Sequence, residues 1–424
     1  MQLSSPKGTE DYSSEKKILR DEIVETIKKI FERYGFNPLE TPTLEKYSTL
    51  SAKYAGGSEI LKETFKLKDQ GERELGLRYD LTVPLARYIA MNPQIGLPFK
   101  RYEISKVFRD GPITKNRIRE FWQLDADIVG AKSLLADVEI IQLALDIIKE
   151  LKLKCKIKIN NRKLLNEIIE YAKIQKNTDT IILTIDKLYK IGKENVIKEL
   201  KQKSLSDKQI KKLLNLILIK GKNKEKLNKI SKEINKEGIK ELKEVLKFFK
   251  KDVEFDPSLA RGLSYYTGTV LEITIEDKSL GCSIGGGGRY DNMIGSFIGK
   301  EKVPAVGISF GLEPLTTALK NLRKPKKTVT QVYIIPIKTL EKSLKIANKL
   351  RDGGINIDID LNQRSISKNL NYANKWQIPY VIFIGENELK QNKVKLRDMK
   401  TGEERLLALE EISITLRKAL KRKE

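Results

Sequence analysis

Two strand-like runs joined by a basic loop constrain the fold more than any other feature of this 424-residue chain. The runs are RYEISKVF (101–108) and FWQLDADIV (121–129), and Arg109 stands where the first one ends. The second run carries polar residues at every other position: Gln123, Asp125 and Asp127. Because side chains alternate along a strand, these three share one face of a sheet. A polar row beside an arginine suits a small polar ligand with a phosphate, and a hairpin with one solvated face fits equally well.

Net charge and the absence of histidine favour some classes of function and make others a poor fit. The 82 Lys and Arg residues outnumber the 57 Asp and Glu residues, which gives a net charge of +25. This balance favours a polyanionic partner such as nucleic acid, and a lysine-rich surface from biased codon usage is the alternative. Histidine is absent from the chain, so Ser-His-Asp triads and zinc hydrolysis fit its chemistry poorly.

The expected location of the protein is a reducing cytoplasm. Two cysteines lie far apart and have no metal-ligand or redox spacing. The opening stretch MQLSSPKGTEDYSSEKK lacks the apolar core of a signal peptide, and no apolar run is long enough to span a membrane.

Two segments differ in character from the rest of the chain. Residues 161–250 have a helical pattern and little glycine, and they carry 24 basic residues against 12 acidic ones. They present either solvated helix faces or a surface that faces RNA. Residues 331–424 alternate strands with helices, which predicts an α/β unit with a largely parallel sheet and a hairpin near 393–407.

Three further stretches contain residue types that bind ligands. In LRYDLTVPLARY (77–88), Asp80 precedes a helical pattern, where its carboxylate can cap free N–H groups. LARGLSYYTG (259–268) places an arginine before two tyrosines, and a bulge with the tyrosines packed in the core is the alternative. SIGGGGRYDNMIG (283–295) predicts a turn that leads to a helix. Its glycines allow close approach of a ligand or strand, but it lacks the spacing of a P-loop or dinucleotide fingerprint.

In this order, these motifs resemble those of class II aminoacyl-tRNA synthetases, and specifically of the histidyl-tRNA synthetase family. DLTVPLARY is similar to the archaeal and eukaryotic form of the first signature, and FRDGPITKNRIREFWQLDADIVG resembles motif 2. RGLSYYTG and GGGGRYD resemble signatures of the histidine enzymes. VPAVGISFGLEP (303–314) resembles motif 3, and GFNPLETPTLE (35–45) contains Pro42, the proline expected in motif 1.

The resemblance implies an α+β catalytic core with an antiparallel sheet, a helical insertion and a C-terminal α/β anticodon-binding domain. The implied boundaries are 1–159 and 253–325 for the two parts of the core, 160–252 for the basic insertion, and 326–424 for the anticodon-binding domain. A homodimer through motif 1 is implied, with L-histidine, ATP and histidine tRNA as partners. Mg²⁺ would enter with ATP, and no tightly bound metal and no membrane are expected.

The resemblance also implies roles for single residues. Arg109 and Arg261 would hold the α-phosphate of ATP from two sides, and Arg117 would contact ATP or the 3′ end of tRNA. The residues implied to bind histidine are Asp80, Leu81, Thr82, Arg109, Gln123, Asp127, Arg261, Tyr265 and Tyr266. Of these, Asp80, Thr82 and Gln123 would bind the ammonium and carboxylate end. Asp127 and the tyrosine pair would read the imidazole.

Two departures from the family pattern concern ATP. Pro314 stands where motif 3 usually ends in an arginine near the γ-phosphate, and Gly111 stands at the usual acidic position of motif 2. The rival interpretation is a catalytically silent regulatory paralogue of histidine biosynthesis. Such relatives usually lack the anticodon domain and the residues of the RGLSYYTG stretch, both of which this chain retains. A plain RNA-binding protein would not need Arg109, Asp127 and Arg261 together.

Overall fold

The structure is a computed structural model, and it describes residues 3–52, 61–114, 117–262, 265–276, 283–299, 302–322 and 325–421. The chain divides into two compact units. One is formed by Met1–Asp11 with Glu22–Leu322, and the other by Tyr12–Asp21 with Arg323–Glu424. Across these described ranges, no helix has both the length and the apolar character that a bilayer crossing requires.

The elements up to residue 161 include half of the strands of one large sheet and all of a small separate one. They are α1 (Ser14–Arg33), β1 (Asn37–Pro38), β2 (Leu44–Lys46), α2 (Tyr47–Leu50), β3 (Lys66–Lys68), β4 (Glu74–Leu77), α3 (Thr82–Met91), β5 (Phe99–Phe108), β6 (Glu120–Val129), α4 (Leu135–Glu150) and β7 (Cys155–Asn161).

Helices fill the next segment, and the sheet then resumes. Residues 162–246 are all described and form α5 (Arg162–Tyr171), α6 (Thr178–Asp186), α7 (Leu188–Gln202), α8 (Asp207–Ile217), α9 (Asn223–Glu233) and α10 (Glu237–Leu246). The elements that follow are β8 (Val253–Phe255), β9 (Thr269–Ile275), β10 (Ser283–Arg289), α11 (Met293–Phe297), β11 (Ala305–Gly311) and α12 (Leu312–Leu322).

The large sheet has eight strands in the order β1-β5-β6-β11-β10-β9-β7-β8. The six inner strands pair antiparallel, as expected for this core, and only the edge pairs β1/β5 and β7/β8 are parallel. This order brings β6, which carries the polar row, next to β11 and one strand away from the glycine run of β10. Motifs that are about 160 residues apart in sequence therefore share one face.

The glycine run is a strand, and its prediction as a turn was wrong. Ser283–Arg289 pairs with β9 on one side and β11 on the other, and only the following helix was predicted correctly. Glycine has a low strand propensity, which is why the pattern was misleading. The strand needs glycine because a Cβ on Gly287 would overlap the carbonyl oxygen of Gly307 on β11.

The second unit contains a five-stranded sheet in the order β13-β12-β14-β15-β16. Its elements are β12 (Val332–Ile337), α13 (Leu340–Asp352), β13 (Ile357–Ile359), α14 (Ile366–Lys375), β14 (Tyr380–Gly385), α15 (Glu386–Lys390), β15 (Lys393–Asp398), β16 (Glu404–Ala408) and α16 (Ile412–Lys421). The first three strands are parallel and the last two add as an antiparallel hairpin, as predicted. Apolar clusters cover both faces of the sheet.

Candidate active site

One cavity of about 340 Å³ lies on the face of the large sheet where β6, β10 and β11 run side by side. The predicted residues that line it are Asp80, Thr82, Arg109, Gln123, Asp127, Arg261, Tyr265 and Tyr266. Leu81 is fully buried and contributes its carbonyl oxygen to Arg101 instead. Arg117 does not line the cavity, so the structure brings together all predicted residues except these two.

Arg109 is held between two aromatic rings just beyond the end of β5. Its guanidinium carbon lies 4.2 Å from the ring centre of Tyr79 and 4.8 Å from that of Phe121. Its Nε donates to the carbonyl oxygen of Tyr79 at 3.4 Å. No carboxylate in the described part of the chain lies within ion-pair distance of it, so this cation is available to an anionic ligand.

Arg261 lines the same cavity from the loop before β9. Its guanidinium lies directly over the backbone of Gly286, and its Nη1 is 3.7 Å from Glu272 Oε1. The two arginines are 152 positions apart in the printed sequence, and both face one cavity. Both guanidinium groups are therefore next to a cavity in which an anionic ligand can bind.

Asp127 lies at the base of the cavity and already has two partners. Tyr290 donates its hydroxyl to Asp127 Oδ1 at 2.5 Å, and Arg101 Nη2 lies 2.8 Å from Oδ2. Gly307 is its neighbour on β11, and a Cβ there would overlap the carboxylate. Tyr290 belongs to the quoted GGGGRYD stretch, and Arg101 is the cross-strand partner of Asp127 on β5. Neither residue has a role that the sequence motifs predict.

The tyrosine pair closes one side of the cavity. The rings of Tyr265 and Tyr266 lie 4.7 Å apart, and Tyr290 meets Tyr265 edge-on at 5.9 Å. Burial raises the pKa of Tyr265 well above its ordinary value, and the neighbouring hydroxyl of Tyr266 adds to the effect. Tyr265 therefore stays protonated and can donate or accept a hydrogen bond.

Four buried oxygen atoms of the cavity lack a hydrogen-bond partner among the described residues. They are Asp80 Oδ2, Gln123 Oε1, Asp125 Oδ1 and Asp127 Oδ2, the last of which has only the misaligned ion pair with Arg101. All four are acceptors. Since buried acceptors without partners are costly, the complementary ligand is one that supplies several N–H donors.

The pKa shifts of two carboxyl groups in the cavity also favour a ligand with N–H donors. Burial raises the pKa of Asp125 well above its ordinary value, Arg101 opposes the rise, and Asp127 adds to it. Burial also raises the pKa of Asp80, although its Oδ1 accepts from the backbone N–H groups of Thr82 and Val83 at 3.1 and 3.0 Å. A cationic ligand would stabilise the ionised forms of Asp125 and Asp80, because a nearby positive charge lowers the pKa of a carboxyl group.

Arg117 is occupied elsewhere. Its Nη2 lies 2.7 Å from both carboxylate oxygens of Glu63, whose carboxylate also fills the space beside Gly111. Gly111 is therefore next to a carboxylate from a different segment of the chain. Pro314 lines the cavity and supplies no cation there. No group of three or more Cys, Asp or Glu side chains within the described ranges is arranged to hold a metal ion.

The chain matches two family models. The model described as Histidyl-tRNA synthetase covers residues 8–315, and the model described as Anticodon binding domain covers residues 331–419. Histidine–tRNA ligase 1 of Bacillus cereus is 45% identical to it over 414 residues, which is 95% of this chain and 97% of the relative. Histidine–tRNA ligase of Clostridium tetani is 40% identical over 93% of each chain. These relatives are bacterial, so the expected archaeal or eukaryotic character is not supported.

Solved structures agree in fold. Histidyl-tRNA synthetase from Nostoc sp. PCC 7120 superposes with a TM-score of 0.86 at 31% identity, covering 99% of this chain and 100% of that one. A structure from Bacillus halodurans described as an ATP phosphoribosyltransferase regulatory subunit/histidyl-tRNA synthetase gives a TM-score of 0.75 over 90% of this chain and 98% of that one. At 23% identity, the second is a likeness of fold alone. The family model covers most of the chain, and the relatives are at least 40% identical over nearly the whole of it. This chain therefore belongs to the histidyl-tRNA synthetase family.

Proposed function

We propose that the chain activates L-histidine with ATP and then transfers the histidyl group to the 3′ end of its tRNA, with both steps in the cavity described above. The observation that carries this proposal is the lining of the cavity, which combines buried acceptor oxygens without partners and two arginines. An amino acid with several N–H donors suits the acceptors, and a nucleotide phosphate suits the arginines.

The hydrogen-bond acceptors of the cavity bind the two ends of histidine. Asp80 and Gln123 accept from the ammonium group, and Thr82 at the beginning of α3 contacts the same end of the substrate. Asp127 accepts from one imidazole N–H, and the Tyr265/Tyr266 pair serves the other ring nitrogen. Polar partners on both nitrogens reject apolar side chains strongly, because binding these would leave buried groups unpaired.

Arg109 and Arg261 hold the α-phosphate of ATP from two sides. A carboxylate oxygen of histidine forms a bond to the α-phosphorus while the bond to pyrophosphate breaks. Two fixed guanidinium groups stabilise the charge that develops, without reorganisation at the moment of reaction. Mg²⁺ enters with ATP as part of that substrate. Arg117 is a further ATP or tRNA contact once its ion pair with Glu63 opens.

In the transfer step, the 3′-terminal hydroxyl of the tRNA attacks the carbonyl carbon of the adenylate, and AMP leaves. The proton of the attacking hydroxyl goes to a phosphate oxygen of the adenylate or to the imidazole of the substrate. This suits a chain without histidine, because no protein imidazole is required. Transfer takes place in the cytoplasm, where tRNA is charged.

The basic segments contact the tRNA. We assign the core to 1–159 and 253–325, the acceptor-arm insertion to 160–252 and the anticodon-binding domain to 326–424. The helices of residues 162–246 carry the basic excess identified in the sequence. The C-terminal segment 331–424 adds 19 basic against 12 acidic residues.

An apolar sheet face supports a homodimer through motif 1. In the small sheet β2-β4-β3, Leu44 pairs with Leu77, and Leu67 pairs with Leu75. Leu44 is 50% exposed and Leu67 is 41% exposed. Four leucines on one face of a small sheet are an apolar patch that a second copy of the chain would cover.

Histidine-dependent exchange of labelled pyrophosphate into ATP tests the activation step. We expect exchange with the wild-type chain and none with Arg261→Ala, which should still bind tRNA. A folded wild-type protein that binds histidine tRNA without exchange would identify the regulatory paralogue instead. Loss of both exchange and tRNA binding in Arg261→Ala would assign this arginine a structural role.

A further inference from the structure

Asp125 is a buried carboxylate in the cavity to which the family resemblance assigns no role. It lies on β6 between Gln123 and Asp127, lines the cavity, and is only 3% exposed. Its Oδ1 atom lacks a hydrogen-bond partner in the described part of the chain. The large majority of buried side-chain oxygens have a hydrogen-bond partner, and this one lines the cavity, where a ligand can supply the donor.

The residues around Asp125 hold its side chain in place but leave one carboxylate oxygen without a hydrogen-bond donor. Ser309 is its cross-strand neighbour on β11, and the Ser309 hydroxyl accepts from Gln123 Nε2 at 2.6 Å. That hydroxyl also bonds Asp125 and lowers its pKa, although burial dominates and keeps the pKa well above the ordinary value. The charged groups around it are Arg101, Asp127 and Asp80. Glu103, opposite on β5, is committed to Thr41 and Arg78.

The number of unpartnered acceptors fits an ammonium group. Asp80, Gln123 and Asp125 each offer one such oxygen, and an ammonium group has three N–H donors. The fourth, on Asp127, lies at the far end of the polar row, where imidazole is assigned. Asp125 is the central member of this row, two residues from Gln123 and two from Asp127.

We propose that Asp125 accepts a hydrogen bond from the α-ammonium group of histidine, as the third acceptor with Asp80 and Gln123. It thereby selects amino acids over imidazole compounds that lack the amino group. This inference rests on the proposed function, and it adds a specificity-determining residue to the histidine site.

The test uses two inhibitors that differ only in the amino group: histidinol and 3-(imidazol-4-yl)propan-1-ol. Inhibition constants are measured in histidine-dependent pyrophosphate exchange with wild-type protein and Asp125→Asn. We expect Asp125→Asn to raise the constant for histidinol at least about tenfold, since bonds to a charged group are the stronger class. The constant for the deaminated compound should change less than about twofold, and KM for ATP should stay the same.

Two results would overturn the inference. Equal weakening of both inhibitors would mean that Asp125 serves the imidazole or shapes the cavity, and no weakening of either would mean that it does not touch the substrate. Asp360→Asn is the matched control, because Asp360 is an equally buried aspartate in the second unit. It should leave both constants unchanged. Absence of exchange in the wild-type protein would instead reject the proposed function, so the two failures are distinguishable.

Discussion

Replacing Asp125 with asparagine is expected to stabilise the protein at pH 8 while it weakens substrate binding. Burial raises the pKa of Asp125 well above its ordinary value, and Arg101 only partly opposes the rise. The folded state therefore binds this proton more tightly than the unfolded chain does. The contribution of Asp125 to stability is greatest below its unfolded pKa and is lost as pH rises through the folded pKa.

The magnitude follows from that shift. Each unit of pKa difference between the folded and unfolded states corresponds to about 1.4 kcal/mol. Asparagine has no proton to lose, so Asp125→Asn should exceed the wild type in free energy of unfolding at pH 8, in proportion to the amount by which folding raises the pKa of Asp125. The difference should shrink as pH falls to about 5, where the wild-type carboxyl retains more of its proton in both states.

Urea unfolding followed by circular dichroism at both pH values measures this difference. The comparison is between two proteins at each pH, so titratable groups that do not interact with Asp125 cancel. A variant that is less stable than the wild type at pH 8 would refute the argument. So would a stability difference that is the same at both pH values, because it would not arise from titration of this group.

Two further predictions concern contacts around the site, and a third concerns the small sheet that carries Leu44. Tyr290→Phe removes the hydroxyl that Asp127 accepts from, and bonds to charged groups contribute about 1.5–3 kcal/mol, so KM for histidine should rise about tenfold or more without a change in KM for ATP. Glu63→Gln releases Arg117, whose side chain is 45% exposed, so KM for ATP should fall by a factor of about two to five, as measured by pyrophosphate exchange. An unchanged KM would exclude Arg117 from ATP binding. Leu44→Lys should dissociate the dimer in sedimentation experiments, while monomeric wild-type protein would reject the dimer.

Much of the fold was predictable because local patterns agreed with the tertiary structure. The strand before Arg109 and the one that carries Asp127 were predicted to within two residues of their observed limits. The exception was Ser283–Arg289, which reads as a turn because glycine disfavours strands. Its strand geometry is imposed by pairing with β9 and β11 on either side. These partners lie outside the glycine run, so the residue pattern of the run does not contain them.

The site was predictable to the extent that its residues lie in recognisable motifs. Arg101 and Tyr290 could not be assigned from the sequence, because their roles depend on the register between strands. Arg101 stands opposite Asp127 on β5, and Tyr290 directly follows the glycine strand. Asp125 was visible as one of the polar row, but a row of alternating residues does not show which member lacks a partner.

Two groups of buried polar residues near the cavity differ in how far their hydrogen bonds are satisfied. Arg78, Thr41 and Glu103 are all buried, and they satisfy one another: Arg78 donates to Thr41 and Glu103, and Thr41 donates to Glu103. Asp80 follows Arg78 by two residues, and Asp125 lies opposite Glu103, yet each keeps an unpartnered oxygen in the described structure. Burial is equal in the two groups, so burial does not explain the difference. What differs is that the second group lines the cavity, where a bound ammonium group can supply the missing donors.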